Sequence, residues 1–268
     1  LKPDYMAVSF DVAGGTFRDE VYEDYKATRV KADDDLYTQI PLCYEVVEAF
    51  DIPIYVKEGF EADDVIGTLS NKIQDTHNKI QTIIVSGDQD LLQLVDDGKT
   101  EVYLLRKGMS DFHLYNEAAV VEKFGFGPEM VIDYKALRGD SSDNIPGVKG
   151  VGEKTAKALI EHVGGIDDIF KALKKEDKSL MDNFKIGVIN KLKDGEDDAF
   201  MSEELATIRR DVKGLKFKLE DCKIGEFDRD ALTELFRNFE FYSLVKRITG
   251  NELVGTGRDK SKRTGQKN

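Results

Sequence analysis

Eight carboxylates fall at four stations along the chain: Asp11; the trio Glu61, Asp63 and Asp64; the pair Asp88 and Asp90; and the pair Asp140 and Asp143. Each station alone has an ordinary explanation. Acids at a helix start are favoured by the helix dipole, and Asp after a strand often closes a turn. As a set they are harder to dismiss, because carboxylates brought together repel and raise one another's pKa. Oxygen-seeking divalent cations remove that conflict, and Mg²⁺ or Mn²⁺ suits a few carboxylates plus waters. Two such ions about 4 Å apart are the usual apparatus of phosphodiester hydrolysis. One helps to generate hydroxide and both stabilise the transition state, so no Ser, Cys or His nucleophile is needed, and none is evident. Zinc is disfavoured, since Cys43 and Cys222 lack metal-ligand spacing. His77, His113 and His162 are scattered and read as ordinary surface or satisfied histidines.

The last acidic station opens the stretch GDSSDNIPGVKGVGEKTA, Gly139–Ala156. Its second half approaches a nucleotide-binding P-loop but misses by one residue. Gly147 and Gly152 have the right spacing, yet Glu153 intervenes before Lys154 and Thr155, and no buried strand precedes the segment. A hairpin between two helices fits better. Asn144, Pro146 and Gly147 end the first helix, and Gly150 and Gly152 permit tight turns. Free amides near Glu153, with Lys149, Lys154 and Lys157, would face a phosphate. Such contacts read backbone and not bases. The plain alternative is a helical hairpin with no ligand.

The elements that must position these groups follow from periodicity. Met6–Asp11, Ile52–Lys57, Thr82–Ser86 and Glu101–Leu105 read as strands, and Tyr37–Phe50 and Glu61–Gln74 as helices, the latter with a Val65, Ile66, Leu69, Ile73 stripe. Alternation of this kind predicts a largely parallel sheet with helices on both faces. Ligands then sit beyond the carboxyl ends of the strands, where Asp11, Asp88 and Asp90 stand and the Glu61 helix begins. Spacing puts Glu61 and Asp64 on one helix face, with Asp63 pointing partly elsewhere. After residue 128 the strand signal stops and helices run to Arg247. The expected divisions are an α/β core at 1–127, a helical region at 128–248 with its hairpin at 128–165, and a flexible tail or linker at 249–268.

Bulk properties are compatible with this reading. The 268 residues carry a formal charge of -13 with 40% hydrophobic content, and no apolar run reaches the length of a membrane span. Net acidity argues against a nucleic-acid partner only if the acids are dispersed, because bound divalent ions reverse the local field. The cysteine usage reads as a reducing cytoplasm. The chain begins with Leu1 and runs almost at once into a strand, so it is expected to be a fragment of a longer protein.

Taken together, VSFDVAGGTFR, YKATR, EADDVIGTLS, SGDQDLLQL, GDSSDNIPGVKGVGEKTA and FRNFEFYSLVKRI resemble, in this order, the 5′–3′ exonuclease (flap endonuclease) family. The likeness is to the nuclease domain at the amino end of bacterial DNA polymerases and runs to about residue 248. It implies a Rossmann-like (PIN-like) mixed sheet flanked by helices, then a helical region with a helix-hairpin-helix element. It further implies two divalent ions. Asp11, Glu61, Asp63 and Asp64 match ligands of the first, Asp88 and Asp90 lie between or near the sites, and Asp140 and Asp143 match ligands of the second. Arg18, Tyr25, Lys26 and Arg29 match a helical-arch segment, at about 16–36, whose basic groups meet the scissile phosphate and whose aromatic stacks on a base.

Gly147, Lys149, Gly150, Gly152, Lys154, Thr155 and Lys157 match the duplex-gripping hairpin, which in the family uses a potassium ion. The implied partner is DNA with a 5′ flap, nick or primer, handled by a monomer of the bacterial cytosol or nucleoid, with a polymerase domain in the same polypeptide. One departure is that the family's early metal-binding aspartate has no counterpart here; Arg138, before Gly139-Asp140, is another. The first admits a second reading, a structure-specific DNA-binding module without nuclease activity. A ribonuclease on a related acidic sheet is a third, which leaves the hairpin unexplained.

Overall fold

The computed structural model describes residues 1–77, 79–107 and 111–250. The expected tail lies, beyond Gly250, outside the described residues. In chain order the elements are β1 (Val8–Ser9), α1 (Phe17–Val21), α2 (Asp34–Ala49), β2 (Ile54–Tyr55), α3 (Ala62–Thr76), β3 (Thr82–Ser86), β4 (Thr100–Lys107) and β5 (Asp111–Tyr115). Helices follow: α4 (Glu117–Phe124), α5 (Val131–Arg138), α6 (Glu153–Val163), α7 (Ile166–Lys174), α8 (Lys178–Asn183), α9 (Ile186–Asp194), α10 (Glu196–Ala206), α11 (Arg229–Asn238) and α12 (Tyr242–Thr249).

By contacts between residues the chain divides into two compact units. Among the described residues the smaller comprises Leu1–Val8, Asp33–Ile54 and residues 220–250. Its core is Leu232, Phe236 and Val245, packed by Val46, Ala49 and Phe50 of the α2 end. The larger comprises Ser9–Ala32 and Tyr55–Leu219 and carries every candidate site residue.

In the larger unit β3 pairs in parallel with β4, Thr82 opposite Thr100 and Ser86 opposite Leu104. β5 then returns antiparallel, with Val102 opposite Tyr115. The sheet is therefore mixed, where alternation alone predicted a largely parallel one. β5 escaped the periodic reading because its DFHLY is an edge strand with Phe112 and Leu114 exposed; Phe112 is held by stacking on Tyr103 at 4.0 Å between ring centroids. β1 and β2 pair only with each other, over two residues each instead of the expected six. α2 starts three residues before the expected Tyr37, because the Asp33 carboxylate caps the Asp35 amide.

Below the sheet one continuous core joins Ile84, Leu91, Leu92 and Val102 to the helical region through Leu137, Leu159, Ile166 and Phe170. Each such side chain contributes roughly 1.5–3 kcal/mol of hydrophobic burial. The strand ends and the start of α3 are thus fixed to the same body as the α5–α6 hairpin.

Candidate metal centre and nucleic-acid interface

Each acidic group is placed by a local device. The Asp11 carboxylate accepts the Ala62 amide at 2.7 Å, which ties the end of the first strand region to the first turn of α3. Glu61 is the N-cap of α3, and Asp64 reaches back to the Glu61 amide at 3.1 Å to complete a capping box. Asp88 accepts the Asp90 amide at 2.9 Å in the turn after β3. Asp140 and Ile145 exchange two backbone hydrogen bonds, of 2.9 and 2.8 Å, and this bridge closes the loop that carries Asp143. The loop depends on Gly139 at φ +77°, where a Cβ would stand 2.6 Å from the Ile145 and Pro146 carbonyl oxygens.

These devices bring Asp11, Glu61, Asp63, Asp88, Asp90 and Asp143 to one cavity of about 280 Å³. Asp140 lines an adjoining cavity of about 350 Å³, with Asp88 and Asp90 on the shared wall. The two acidic pairs and the α3 trio therefore converge, with one exception. Asp64 is fully buried, and both its oxygens are taken by Arg18, the Arg209 amide and the Glu61 amide. The expected facing of α3 is reversed: Asp63 looks into the cavity and Asp64 into the protein, because the capping box and Arg18 draw it inward.

Two arch expectations are also corrected. Arg18 is only 2% exposed, and its donors are spent on Asp64 and on the carbonyls of Leu205 and Thr207. It cannot at the same time meet a phosphate. Burial alone would depress its pKa, but the hydrogen bonds and charge of Asp64 more than offset this and raise it. Tyr25, expected to stack on a base, is 6% exposed, and its hydroxyl lies 3.2 Å from Asp143 and 3.3 Å from Glu61. Burial and those two carboxylates push its phenol well above its ordinary value. Lys26 and Arg29 do line the site. Lys26 pairs with Glu61 and Arg29 with Asp143, each at 2.5 Å.

A residue that sequence reasoning passed over stands between the acid sets. The Lys135 ammonium donates to Asp90 and, at 2.6 Å, to Asp140. Burial would lower its pKa, but Asp90 and Asp140 hold it up. The only sequence signal was a lysine on the otherwise apolar face of α5, five residues before Asp140. Asp140 responds in kind. Burial would raise it, yet the Lys135 charge and hydrogen bonds from Lys135 and Ser142 hold it down at about 2.

The cations do not balance the whole cavity: Asp11, Asp63 and Asp88 line it, and the pairs formed by Lys26, Arg29 and Lys135 go to other carboxylates. Burial first, then Asp88, Asp90, Glu61 and Asp11, push Asp63 up to about 7. Burial, with Asp88 and Asp140, pushes Asp90 up to about 6 against the opposing Lys135 charge. Among the described residues no three side chains already form a closed metal-binding group. The donor set is nonetheless all carboxylate oxygen with an excess of buried negative charge, which fits hard divalent cations and not zinc.

Beyond this cavity the chain forms the expected hairpin between α5 and α6. Gly147 has φ +60°, and its Cα packs so closely on Gly139 that any Cβ would overlap the Gly139 amide nitrogen. Gly150 has φ +81° and its carbonyl accepts the Lys191 ammonium at 2.8 Å. Gly152 is the N-cap of α6 with no side-chain cap, and Lys149 and Lys154 are exposed beside it. Thr155 is half-buried in the first turn, and Lys157 pairs with Glu153 at 3.0 Å.

Comparison with known sequences and structures adds to this geometry. Residues 1–125 match the 5'-3' exonuclease, N-terminal resolvase-like domain, and residues 126–230 match the 5'-3' exonuclease, C-terminal SAM fold. A DNA polymerase I of Caldicellulosiruptor bescii is 43% identical over 256 residues, which is 94% of this chain and 29% of that protein. That of Bacillus subtilis is 38% identical over 260 residues, 97% of this chain and 28% of that protein. The chain thus spans under a third of the length of these relatives. The fold is shared with the T5 D15 protein co-crystallised with metal ions, at TM-score 0.58 and 21% identity over 87% of this chain and 81% of that one. It is also shared with the catalytic core of Rad2 in complex with DNA substrate, at TM-score 0.57 and 19% identity over 90% and 75% of the two chains.

Proposed function

Because the chain belongs to the 5′–3′ exonuclease family, we propose that it is a divalent-metal-dependent nuclease. In this reading it removes 5′ nucleotides from DNA and cuts 5′ flaps in primer removal and repair. The observation that carries the reading is the convergence of Asp11, Glu61, Asp63, Asp88, Asp90 and Asp143 on one cavity of about 280 Å³, with Asp140 in the adjoining one. So costly a cluster is retained where oxygen donors are wanted for cations. Mg²⁺ is the ion we assign, with Asp11, Glu61, Asp63, Asp88, Asp90, Asp140 and Asp143 as the residues that would hold two ions.

Bound there, the ions supply charge neutralisation for the phosphodiester and a hydroxide at neutral pH. The chain's own groups do the rest. Lys26 and Arg29 exchange a carboxylate for a phosphate oxygen as the strand enters, since both line the cavity and neither is fully buried, Arg29 being half-exposed and Lys26 about a quarter. Tyr25 keeps Glu61 and Asp143 at a fixed separation through its hydroxyl. Lys135 does the same for Asp90 and Asp140. The exposed Lys149 and Lys154 and the free amides of α6 grip the duplex backbone without reading sequence. Lys191 already occupies the Gly150 carbonyl, so a potassium ion is not required at that oxygen. We read it as the nuclease portion of a longer, cytosolic polymerase polypeptide that acts as a monomer; its match to under a third of the DNA polymerase I relatives supports the first of these.

A second reading, DNA binding without cleavage, is favoured by one feature: Lys26, Arg29 and Lys135 already neutralise Glu61, Asp143, Asp90 and Asp140. One assay separates the two. A 5′-labelled flap duplex is incubated with the chain in Mg²⁺ or EDTA, alongside D88A and D140A. Metal-dependent release of the flap, lost in both variants while binding persists, is expected. Binding with no cleavage at any Mg²⁺ concentration overturns the enzyme reading.

A further inference from the structure

The cations around the acidic cavities are almost all committed. Arg18 is paired with Asp64, Lys26 with Glu61, Arg29 with Asp143, and Lys135 with Asp90 and Asp140. Arg138, the last residue of α5, is different. It lines the cavity that holds Asp88, Asp90 and Asp140, it is exposed, and no carboxylate of a described residue lies within ion-pair distance of it. Glu153 is close enough to feel its charge but gives its oxygen to Lys157 at 3.0 Å.

Nor does the guanidinium hang loose in solvent. Its carbon sits 5.6 Å from the centroid of the buried Tyr134 ring, one helical turn earlier. Tyr134 belongs to an aromatic cluster with Phe124 and Phe126, at centroid separations of 5.8 and 5.5 Å. Two more cations rest on Phe124: the Lys123 ammonium at 5.3 Å and the Lys157 ammonium at 6.0 Å. Three helices, α4, α5 and α6, therefore bring Lys123, Arg138 and Lys157 onto one set of rings. A cation held against a ring loses little further freedom on binding; Lys123 also donates to Gln89 at 2.6 Å and Lys157 pairs with Glu153, so those two add charge while the outward N–H donors of Arg138 remain available.

From this we infer that Arg138, flanked by Lys123 and Lys157, is a phosphate-binding site for the nucleic-acid backbone at the rim of the acidic cavity. The inference rests on the nuclease reading above and extends it to a contact that the eight acids and the hairpin do not supply. A strand approaching so acidic a cleft is repelled until a cation at its edge offsets the field. Arg138 is the one cavity-lining arginine without a carboxylate partner among the described residues. It also lies between the acids and the first turn of α6, so a single strand of backbone can touch the hairpin, the rim and the cavity in succession. Arginine takes a phosphate with two parallel hydrogen bonds, which fixes its position as well as attracting it.

The test is the affinity of the chain for a fluorescein-labelled 5′-flap DNA duplex. Anisotropy is read in EDTA at several KCl concentrations between about 50 and 200 mM, with R138A, R138Q and R138K beside the parent. The expected result is a Kd raised about three- to tenfold in R138A and R138Q. The slope of log Kd against log[KCl] should fall by about one unit. R138K keeps the charge without the paired donors, so it should recover most of the slope and part of the Kd, and all four proteins should share one melting temperature, since the side chain is exposed. An unchanged Kd and slope in R138A overturns the inference, as does a parent that binds no DNA. So does an R138K as weak as R138A with both folded, because charge is then not the cause. The nuclease reading fails by a different sign, the absence of Mg²⁺-dependent cleavage by the parent, which this metal-free measurement does not involve.

Discussion

Arg18 and Asp64 face one another as a bidentate pair, Nη1 to Oδ2 at 2.7 Å and Nη2 to Oδ1 at 2.9 Å, with both side chains out of water. The pair joins α1 to the first turn of α3, and the other guanidinium hydrogens reach the Leu205 and Thr207 carbonyls at the end of α10. Three segments distant in sequence are thus fixed by one planar group behind the acidic cavity. The predicted consequence is structural. Truncating one partner leaves a buried charge uncompensated and costs about 3–5 kcal/mol. Urea denaturation of R18A and D64A should show that loss, and the R18M/D64L double variant should lose less than either single change. A double variant as weak as the sum of the singles would mean that the two groups act independently.

A half-buried acid outside the residues that line the two acidic cavities, Asp133, sets a pH dependence. The Asp133 carboxylate on α5 accepts the Ile166 amide at 2.7 Å, which caps the start of α7. Burial, and the nearby Asp167 and Asp168, raise it above 3.8 although the Ile166 hydrogen bond opposes them. Its folded pKa exceeds its unfolded one, so the folded state binds more protons between the two values. Its contribution to stability is then present at low pH and is lost as pH rises from about 4 through the folded pKa. Asn keeps the oxygen acceptor and removes the charge. D133N should melt above the parent at pH 7, and the gap should close as pH is lowered to about 4. A gap that widens on acidification would show the sign to be wrong.

Gly139 and Gly147 carry the coupling between the cation side and the phosphate side of the hairpin. Both have positive φ, and neither has room for a side chain: a Cβ on Gly147 would overlap the Arg138–Gly139 backbone, and one on Gly139 the Ile145 and Pro146 carbonyls. Ala at either position combines left-handed strain of about 1 kcal/mol or more with a backbone clash. G147A is expected to lose stability and to weaken flap binding together, because displacing residue 139 moves Asp140 and the α6 amides as one. G152A is the control: Gly152 has φ -101° and open space at its Cβ, so its melting temperature should hold. Equal losses in G147A and G152A, read by thermal denaturation, would remove the special role of the close approach.

Local pattern and tertiary placement were legible to different degrees. β3 was readable to the residue, since TIIVS is a β-branched run with its partner strand in parallel register. The hairpin was readable from Gly147 and Gly150, because left-handed backbone has few other occupants. Periodicity misjudged Asp63 and Asp64, because a capping box and a distant arginine decided which one turned inward. Arg18, Tyr25 and Lys135 were opaque for the same reason. A charged or hydroxylated side chain reads as surface until the fold supplies carboxylates from elsewhere to meet it. β5 was missed because it is an edge strand whose residues from Asp111 to Leu114 are all exposed, so no inward-outward alternation marks it.

Metal binding offers a test that does not depend on cleavage. The cavity concentrates Asp11, Glu61, Asp63, Asp88 and Asp90, and a ligand that binds only the folded state stabilises it by RT ln(1 + [L]/Kd), about 2.7 kcal/mol at a hundredfold excess over Kd. Mg²⁺ should therefore raise the melting temperature of the chain, and EDTA should reverse the rise. D63A should melt higher than the parent in EDTA, because a buried carboxyl pushed up to about 7 is relieved of its neighbours' repulsion. In Mg²⁺ the same variant should gain little. Lys154→Ala lies on the hairpin and touches no acid of the cavity, so it should keep the full Mg²⁺ increment while its affinity for DNA falls. If D63A shows the parent's Mg²⁺ increment, the ion is held elsewhere, and the convergence of the four acidic stations has another cause.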